Sequence, residues 1–274
     1  MKQPGILPDI QLWRDSRGIE VDQAGVKAVM MPLRILRPDG GLIVTPASCT
    51  LSVNLAAELR GVHMSRFVAL LAEFSSRPLA DLCIRPLLDQ TLVSLQSLTA
   101  AASIEFHYFM DKKAPISGES APMGYACTLL GSLDAKSSKQ ECDTFLRIRV
   151  PVSNLCPCSK AISEGGAHSQ RSEITAQLRL DEAQKHDFLW LEDTVLALEA
   201  VSSAPVYPIL KRVDEKDVTD RQYENPKFVE DIVRDAALAL KRARGIDGFR
   251  VEVEAYESIH AHNAWASVVA KGRA

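Results

Sequence analysis

The sequence predicts an α+β fold in which antiparallel sheets carry pairs of helices on one face. Each half of the 274-residue chain contains two strand patterns, two helix patterns and two more strand patterns, in that order. The helix patterns are consecutive and lie between hairpins, whereas a parallel sheet would need helices that alternate with single strands. We therefore expect two ββααββ modules, at residues 1–140 and 141–274, with most of the site residues in the second.

In the first half, β-branched and aromatic residues mark four strands and apolar residues at helical spacing mark two helices. The strand patterns are VKAVMMPLRIL, GLIVTPASCTLSV, ASIEFHYFMDKK and MGYACTLLGSLD, and the helix patterns are MSRFVALLAEF and LADLCIRPLLDQTLVSLQSL. The turn RPDGG separates the first two strands. The loop APISGESAP, rich in proline, glycine and serine, separates the last two.

The second half repeats this order. Its strand patterns are CDTFLRIRVPVS, HSQRSEITAQLRLD, FRVEVEAYES and HNAWASVVAKG. We predict helices near Asp187–Val201 and Pro226–Arg244, with Asn225 as the cap of the second and Pro226 in its first turn. Four strands per half leave open sheet edges. Because joining sheets across subunits covers such edges, the pattern predicts a homo-oligomer.

Composition and charge predict a cytoplasmic protein that binds neither nucleic acid nor a membrane. The net charge of −3 argues against a general nucleic-acid binder, which usually carries a basic surplus. The segment MKQPGILPDIQLWRD lacks the apolar core of a signal peptide, and no apolar run is long enough to span a bilayer. The six cysteines are expected to be reduced. Cys49, Cys83 and Cys127 lie in apolar surroundings, which is typical of small buried side chains.

The stretch SNLCPCSKAISEGGAHSQRSE contains two cysteines separated by one proline, and a histidine follows. The Cys-X-Cys spacing is unlike that of disulfide enzymes, which usually have two intervening residues. One or both thiols, Cys156 and Cys158, could bind a metal, and His168 would face them if the loop folds back. A turn with two half-buried thiols is the alternative.

Two further clusters follow in the second half. Lys211, Arg212 and Lys216 form a basic group that favours either phosphate binding near a helix start or a solvated charged loop. In EAYESIHAHNAW, Glu257 and His260 lie three residues apart between apolar strands. That spacing suits a metal site, and it also suits ordinary polar strand ends. Periodicity alone does not bring the three clusters together.

Several long motifs resemble the GTP cyclohydrolase type IB family. They are NLCPCSKAIS with GAHSQRSEI, PVYPILKRVDEKDVT with YENPKFVEDIVRD, VEAYESIHAHNAWA, and ELRGVHMSRF. The resemblance extends over nearly the whole chain. It implies a tunnelling fold and a homotetramer whose subunit pairs close β-barrels, with active sites at subunit interfaces. The implied reaction converts GTP and water to 7,8-dihydroneopterin triphosphate and formate, the first step toward tetrahydrofolate, and it also supplies queuosine synthesis.

The resemblance also implies a role for individual residues. The implied metal ligands are Cys156, His168, Glu215, Glu257 and His260. Cys156, His168 and His260 are the implied catalytic residues, and Cys158 is assigned a structural role beside them. Glu230 is implied to anchor the guanine base. The candidates for triphosphate binding are Lys211, Arg212, His63, Ser65 and Arg66.

A ligand set of thiolate, imidazole and carboxylate suits zinc, and it also suits manganese or ferrous iron. No organic cofactor is expected. One alternative keeps the tunnelling fold but assigns the chain to the nitrile reductases of queuosine synthesis, which use a cysteine nucleophile and NADPH. No segment resembles their NADPH signature. Another alternative is a non-catalytic protein that binds a purine or a metal.

Overall fold

The computed structural model describes residues 9–79, 82–136, 142–181 and 189–270. Its strands are β1 (Val21–Leu36), β2 (Leu42–Leu55), β3 (Thr99–Lys113), β4 (Ser120–Asp134), β5 (Cys142–Leu155), β6 (Ser169–Leu180), β7 (Ala204–Pro205), β8 (Ile246–Ala255) and β9 (Ala264–Ala270). Its α-helices are α1 (Met64–Ser75), α2 (Arg85–Leu95), α3 (Pro157–Ile162), α4 (Leu191–Glu199), α5 (Arg212–Glu224) and α6 (Val229–Arg242). Among the described residues, no helix is both long and apolar enough to cross a membrane.

The strands form one sheet in the order β1-β2-β3-β4-β5-β6-β8-β9, and the short strand β7 pairs with β5. The predicted fold class, two ββααββ modules with their own sheets and a helix pair on one face, is therefore wrong. Hydrogen bonding passes from β4 to β5, across the boundary that the pattern placed between modules. Within the described residues of the second half, α3 lies between β5 and β6, and three α-helices and β7 lie between the strand pairs, rather than a single pair of helices.

The prediction failed because side-chain alternation reports which face of a strand is buried and does not report which strand pairs with it. Strands β4 and β5 follow each other closely in the chain, and consecutive strands commonly become neighbours in a sheet. The repeated order of strand and helix patterns in the two halves therefore does not mark a boundary between two sheets.

The described chain divides into two compact units. The first is built on β1, β2, α1 and α2, with parts of β3 and β4. The second contains most of β5, all later elements and the remaining parts of β3 and β4. In the first unit α1 packs on β1 and β2, and in the second α6 packs on β8, β9 and α4.

The core of the second unit is the interface between α6 and the sheet. Apolar residues of α6 are buried at helical spacing and include Ile232, Val233 and Leu240. They face a sheet whose strands bury every second residue, such as Ile148 of β5 and Val251 of β8. Burial of each such side chain contributes about 1.5–3 kcal/mol. The segment that leads into α6 is tied to the end of β5, because the Lys227 amide donates to the carbonyl of Leu155 at 3.0 Å.

Of the two helices predicted in the second half, α6 differs from the sequence-based expectation in where it starts. Helix α6 begins at Val229 with Phe228 as its N-cap, so the predicted start at Asn225 and Pro226 is wrong. Asn225 instead ends α5, and its side-chain amide donates to the carbonyls of Ser202 and Ser203. Helix α4 lies within the predicted Asp187–Val201 range, of which the first two residues are outside the described residues.

Helix α5 was not predicted as a helix. Its sequence RVDEKDVTDRQYE has almost no apolar periodicity, and Asp214 is its one buried residue. Charged pairs at i,i+4 spacing lie on its surface, Lys216 with Asp220 and Arg221 with Asp217. A helix held by charge pairs and by its first turn lacks the signal on which pattern analysis depends.

Candidate active site

The ends of three neighbouring strands, β5, β6 and β8, lie side by side at one end of the sheet. In the antiparallel β5–β6 pair, Leu155 at the end of β5 lies opposite Ser169 at the start of β6. In the β6–β8 pair, Ser172 lies opposite Ala255 at the end of β8. The residues just beyond these ends are Cys156, His168 and Glu257. Antiparallel pairing thus brings together three segments that are distant in the sequence.

The Cys-Pro-Cys segment forms the start of the short helix α3, with Cys156 as its N-cap and Pro157 in its first turn. The Cys156 thiol accepts a hydrogen bond from the Ser159 amide at 3.5 Å. The Cys156 amide donates to the carbonyl of His168 at 3.1 Å, which joins the two segments. Cys158 lies on the helix itself and is exposed. The two cysteines therefore occupy different environments.

Ser159 holds the His168 segment from the other side. Its hydroxyl donates to the carbonyl of Cys156 at 3.1 Å and accepts from the His168 amide at 3.1 Å. The loop between α3 and β6 is thereby closed on itself. The backbone of His168 is fixed by hydrogen bonds at its N–H and its carbonyl.

The His168 ring faces a buried polar cluster. Its Nδ1 lies 2.9 Å from Oε1 of Gln170, and the Gln170 amide nitrogen donates to Oε1 of Glu257 at 3.3 Å. The second oxygen of Glu257, Oε2, lies 3.7 Å from Nδ1 of His168. That oxygen is buried and has no hydrogen-bond partner. A buried carboxylate oxygen without a donor is costly to leave unpaired, so this position favours a cation.

Two more histidines extend the cluster toward solvent. The His260 ring lies 6.2 Å from the His168 ring in an edge-to-face arrangement. The His262 ring stacks on His260 at 5.2 Å, with 19° between the ring planes. Both belong to the exposed connection between β8 and β9. The structure therefore brings His168, Glu257 and His260 into one neighbourhood.

The side chains of this cluster are of the chemical types that bind divalent metals. Thiolate, imidazole and carboxylate are ligands for zinc and for other first-row metals, and the orphaned Glu257 Oε2 is a donor in need of a partner. Within the described residues, however, no group of three or more His, Cys, Asp or Glu side chains is already arranged around one point. Glu215 lies exposed on the first turn of α5.

The basic group at Lys211 and Arg212 is the beginning of α5, not a charged loop. Lys211 is the N-cap residue, and its ammonium group pairs with the Glu119 carboxylate, which raises the pKa of Lys211. Asp214 is fully buried and closes this helix start, because it accepts from the amide of Lys211. It also accepts from the amide and hydroxyl of Ser117 in the β3–β4 loop.

The remaining predicted binding residues lie at two other helix starts. In the first unit, His63 is the N-cap of α1 and its Nε2 is 3.4 Å from the Asp9 carboxylate. Ser65 is exposed, and the Arg66 guanidinium donates to the Ser94 carbonyl at 2.8 Å. In the second unit, Glu230 is exposed in the first turn of α6.

Sequence reasoning did not assign Gln170, His262 or Asp214 to a role. Gln170 lies near the start of β6 and His168 directly precedes that strand, and in extended backbone a spacing of two residues places both side chains on one face. That signal was available. The buried position of Asp214 had no local signal, because its partners in the β3–β4 loop lie about 97 residues earlier in the chain.

Three of the other cysteines, Cys49, Cys127 and Cys142, are buried side chains of the core. The prediction is confirmed for Cys49 and Cys127, which are both buried, whereas Cys83 is half-buried. Burial raises the pKa of the Cys49 thiol to about 11 and that of the Cys127 thiol to about 12. Both thiols therefore stay protonated near neutral pH, and neither is suited to be a nucleophile.

Comparison with known proteins identifies the family. The family described as Type I GTP cyclohydrolase folE2 matches residues 7–266. Among curated proteins, GTP cyclohydrolase FolE2 of Geobacter metallireducens is 42% identical over 262 residues, which are 96% of each chain. GTP cyclohydrolase FolE2 of Paraburkholderia phymatum is 42% identical over 263 residues, which cover 96% of this chain and 94% of the relative.

Solved structures resemble this chain in fold alone. Urate oxidase from Bacillus sp. TB-90 has a TM-score of 0.56 at 9% identity, over 92% of this chain and all of the other. Uricase from Arthrobacter globiformis has a TM-score of 0.54 at 7% identity, over 92% of this chain and 95% of the other. This likeness supports the corrected description of the fold. The sequence match decides the family, and the chain belongs to the type I GTP cyclohydrolases of the FolE2 group.

Proposed function

We propose that this protein is a metal-dependent GTP cyclohydrolase that converts GTP and water to 7,8-dihydroneopterin triphosphate and formate. The observation that carries the proposal is the meeting of His168, Glu257 and His260 beside Cys156, in a chain of the FolE2 family. This reaction is the first committed step toward tetrahydrofolate. The same product would also supply queuosine synthesis.

In this proposal Cys156, His168, Glu257 and His260 hold a divalent metal, and Glu215 is a further ligand. A bound metal of this kind lowers the pKa of water enough to supply hydroxide near neutral pH. Zinc, manganese and ferrous iron all suit the donor set. No organic cofactor is required.

The chain's own residues then orient the substrate and move its protons. A histidine beside the reacting centre, His168 or His260, transfers a proton to the leaving nitrogen N9 as the C8–N9 bond breaks. His260 is the better placed of the two to exchange that proton with solvent, because it is exposed. The buried surroundings of His168 suit a residue that is held in place.

Glu230 is proposed to anchor guanine, since its carboxylate can accept hydrogen bonds from N1–H and from the 2-amino group. Five residues are proposed to bind the triphosphate through charge and hydroxyl groups: Lys211, Arg212, His63, Ser65 and Arg66. For Lys211, this role requires exchange of its present partner Glu119 for phosphate. Both groups are exposed, so the exchange costs little.

We further propose a homotetramer with active sites at subunit interfaces. The outer strands of the described sheet, β1 and β9, each have a single neighbour in it. On β9 the side chains of Trp265 and Val269 are more than half exposed. Apolar groups on an edge strand are typical of a surface that another chain covers. We propose residues 1–140 and 141–274 as the two halves of the chain, joined by one sheet, with most of the site residues in the second half.

A cytoplasmic location is proposed from the cysteines. Cys49, Cys127, Cys156 and Cys158 are free thiols, which is typical of a reducing compartment. Neither nucleic acid nor a membrane is proposed as a partner.

The direct test supplies GTP to the purified protein with Mn²⁺, Fe²⁺ or Zn²⁺. The expected product gives neopterin fluorescence after oxidation and phosphatase treatment, together with one equivalent of formate. No product with any of the three metals would overturn the proposal. Binding of GTP without turnover would support the non-catalytic alternative.

A further inference from the structure

Gln170 connects the two residues at the centre of the site. We propose that Gln170 is a positioning residue: it keeps the proton of His168 on Nδ1 and holds Glu257 in place before a metal binds. This inference extends the proposed metal centre and rests on it. No role for Gln170 follows from the resemblance or from the family match.

The direction of each hydrogen bond in the cluster follows from which groups can donate and which can only accept. A glutamate carboxylate accepts hydrogen bonds and donates none when ionised. The amide nitrogen of Gln170 must therefore face Glu257 Oε1, at 3.3 Å. Its carbonyl oxygen then faces His168 Nδ1, at 2.9 Å. The opposite amide orientation would set a carbonyl oxygen against a carboxylate oxygen, which is repulsive.

The orientation of the Gln170 amide decides which nitrogen of His168 carries the proton. A carbonyl oxygen 2.9 Å from Nδ1 needs a donor there, so Nδ1 bears hydrogen. In the neutral ring, the lone pair is then on Nε2. That is the nitrogen a metal would bind.

The backbone prevents Gln170 from adapting freely. The residue lies in β6 opposite Asn154, and it is 9% exposed. Its amide is therefore confined between His168 and Glu257. The result leaves Glu257 Oε2 free of hydrogen bonds on the same side as the His168 ring.

Such an arrangement is what a metal-binding histidine requires. Metal-bound histidines generally donate their other N–H to a fixed acceptor, and loss of that acceptor weakens metal binding by about 10–100-fold. Without Gln170, the ring can rotate and can also carry its proton on Nε2. Both changes compete with metal binding.

The first experiment measures the ring nitrogens of metal-free, full-length protein by ¹⁵N NMR, at a pH above the ordinary histidine pKa. We expect His168 of the wild type to be protonated at Nδ1, and the Nδ1-protonated fraction to fall in Gln170→Leu. Gln170→Glu keeps an acceptor for His168 Nδ1 and should keep that nitrogen protonated, whereas its second carboxylate oxygen faces Glu257 Oε1 and removes the hydrogen bond that holds Glu257. If Gln170→Leu does not fold, Gln170→Glu still tests whether an acceptor at position 170 determines which nitrogen of His168 is protonated.

The second experiment titrates Zn²⁺ and, separately, Mn²⁺ into the metal-free proteins. We expect the Kd for each metal to rise about 10–100-fold in Gln170→Leu. The matched control is Gln177→Leu, on the same strand, where the amide oxygen accepts from Arg147 at the surface. It should leave the Kd and the His168 signal unchanged.

Two results would overturn the inference. One is a wild-type His168 protonated at Nε2, and the other is a folded Gln170→Leu protein whose metal Kd stays within about twofold of wild type. Neither measurement uses GTP. A protein that shows the expected nitrogen signals and metal affinities but forms no neopterin would contradict only the proposed reaction.

Discussion

At the level of single residues, the two cysteines of the α3 segment differ in position and surroundings. Cys156 is the N-cap of α3 and is hydrogen-bonded to the His168 segment, whereas Cys158 is exposed on the helix. We expect Cys156→Ala to lower kcat and metal affinity by more than about 100-fold, because loss of a ligand should exceed loss of a supporting residue. Cys158→Ala should retain activity within a few fold.

The measurement is neopterin formation and metal Kd for both variants, with circular dichroism to show that each is folded. Equal losses in the two variants would contradict the assignment of Cys156 as the ligand. Wild-type activity in Cys156→Ala would contradict the metal role of the thiol.

The proposed role of Glu230 separates substrate binding from metal binding. In Glu230→Gln, the carboxylate that pairs with two guanine donors becomes an amide, which repels one of them. Hydrogen bonds to charged groups contribute about 1.5–3 kcal/mol, so KM should rise by about 10–100-fold. The metal Kd should not change.

Steady-state kinetics and a metal titration test this prediction. The control is Glu224→Gln, an exposed glutamate at the end of α5. A parallel rise in metal Kd for Glu230→Gln would place Glu230 at the metal instead of at the base.

At the level of secondary-structure elements, Asp214 determines how α5 begins. Burial alone would raise the pKa of this carboxyl group. Hydrogen bonds from Ser117 and from the amides of Lys211 and Ile116 outweigh burial and lower the pKa well below its ordinary value. Asp214→Asn should therefore lower Tm by several degrees at neutral pH, because the amide cannot accept all of these bonds.

The lowered pKa also sets the direction of the pH dependence. A carboxyl group whose pKa is lower in the folded state stabilises fully above its ordinary pKa, near 3.8, and loses that contribution as pH falls toward the folded pKa. The Tm difference between wild type and Asp214→Asn should therefore shrink below about pH 4. Asp220→Asn, exposed on the same helix, should show neither effect. A pH-independent difference would contradict this account.

Helix α6 provides a test of how the sheet end is supported. Ile232 is fully buried against the sheet, whereas Leu238 on the same helix is about half exposed. Ile232→Ala should lower the free energy of unfolding by about 2–5 kcal/mol. Leu238→Ala should change it by about 0.5 kcal/mol or less. Denaturant unfolding measures both, and equal losses would show that α6 packs differently.

At the level of the whole molecule, the open sheet edges make the oligomeric state testable. We expect light scattering to give the mass of a tetramer, and specific activity to fall on dilution if the sites are interfacial. Val269→Lys on the edge strand β9 should shift the mass to smaller species, because a buried unpaired charge opposes association.

The control is Val93→Lys on α2, where the valine is also highly exposed. A monomeric wild type with undiminished activity on dilution would contradict both the tetramer and the interfacial sites. A tetramer unaffected by Val269→Lys would move the interface away from β9.

The extent to which sequence could predict the site differs between its parts. The motifs pointed to His168, Glu257 and His260, and the structure brings these three together. They did not point to Gln170, whose role depends on the orientation of one amide between two side chains. They also missed α5, because charge pairs and a buried cap, rather than an apolar face, hold that helix.

The sequence by itself determined the family, the residue types of the candidate site, and most of the strands and amphipathic helices. These depend on long motifs and on side-chain periodicity, which are local properties of the chain. Only the tertiary structure decided that the strands join one sheet, that Asp214 is buried, and that three strand ends meet beside Gln170. Each of these depends on pairing between distant segments, which is set by the packing of the whole chain and leaves no periodic signal in the sequence.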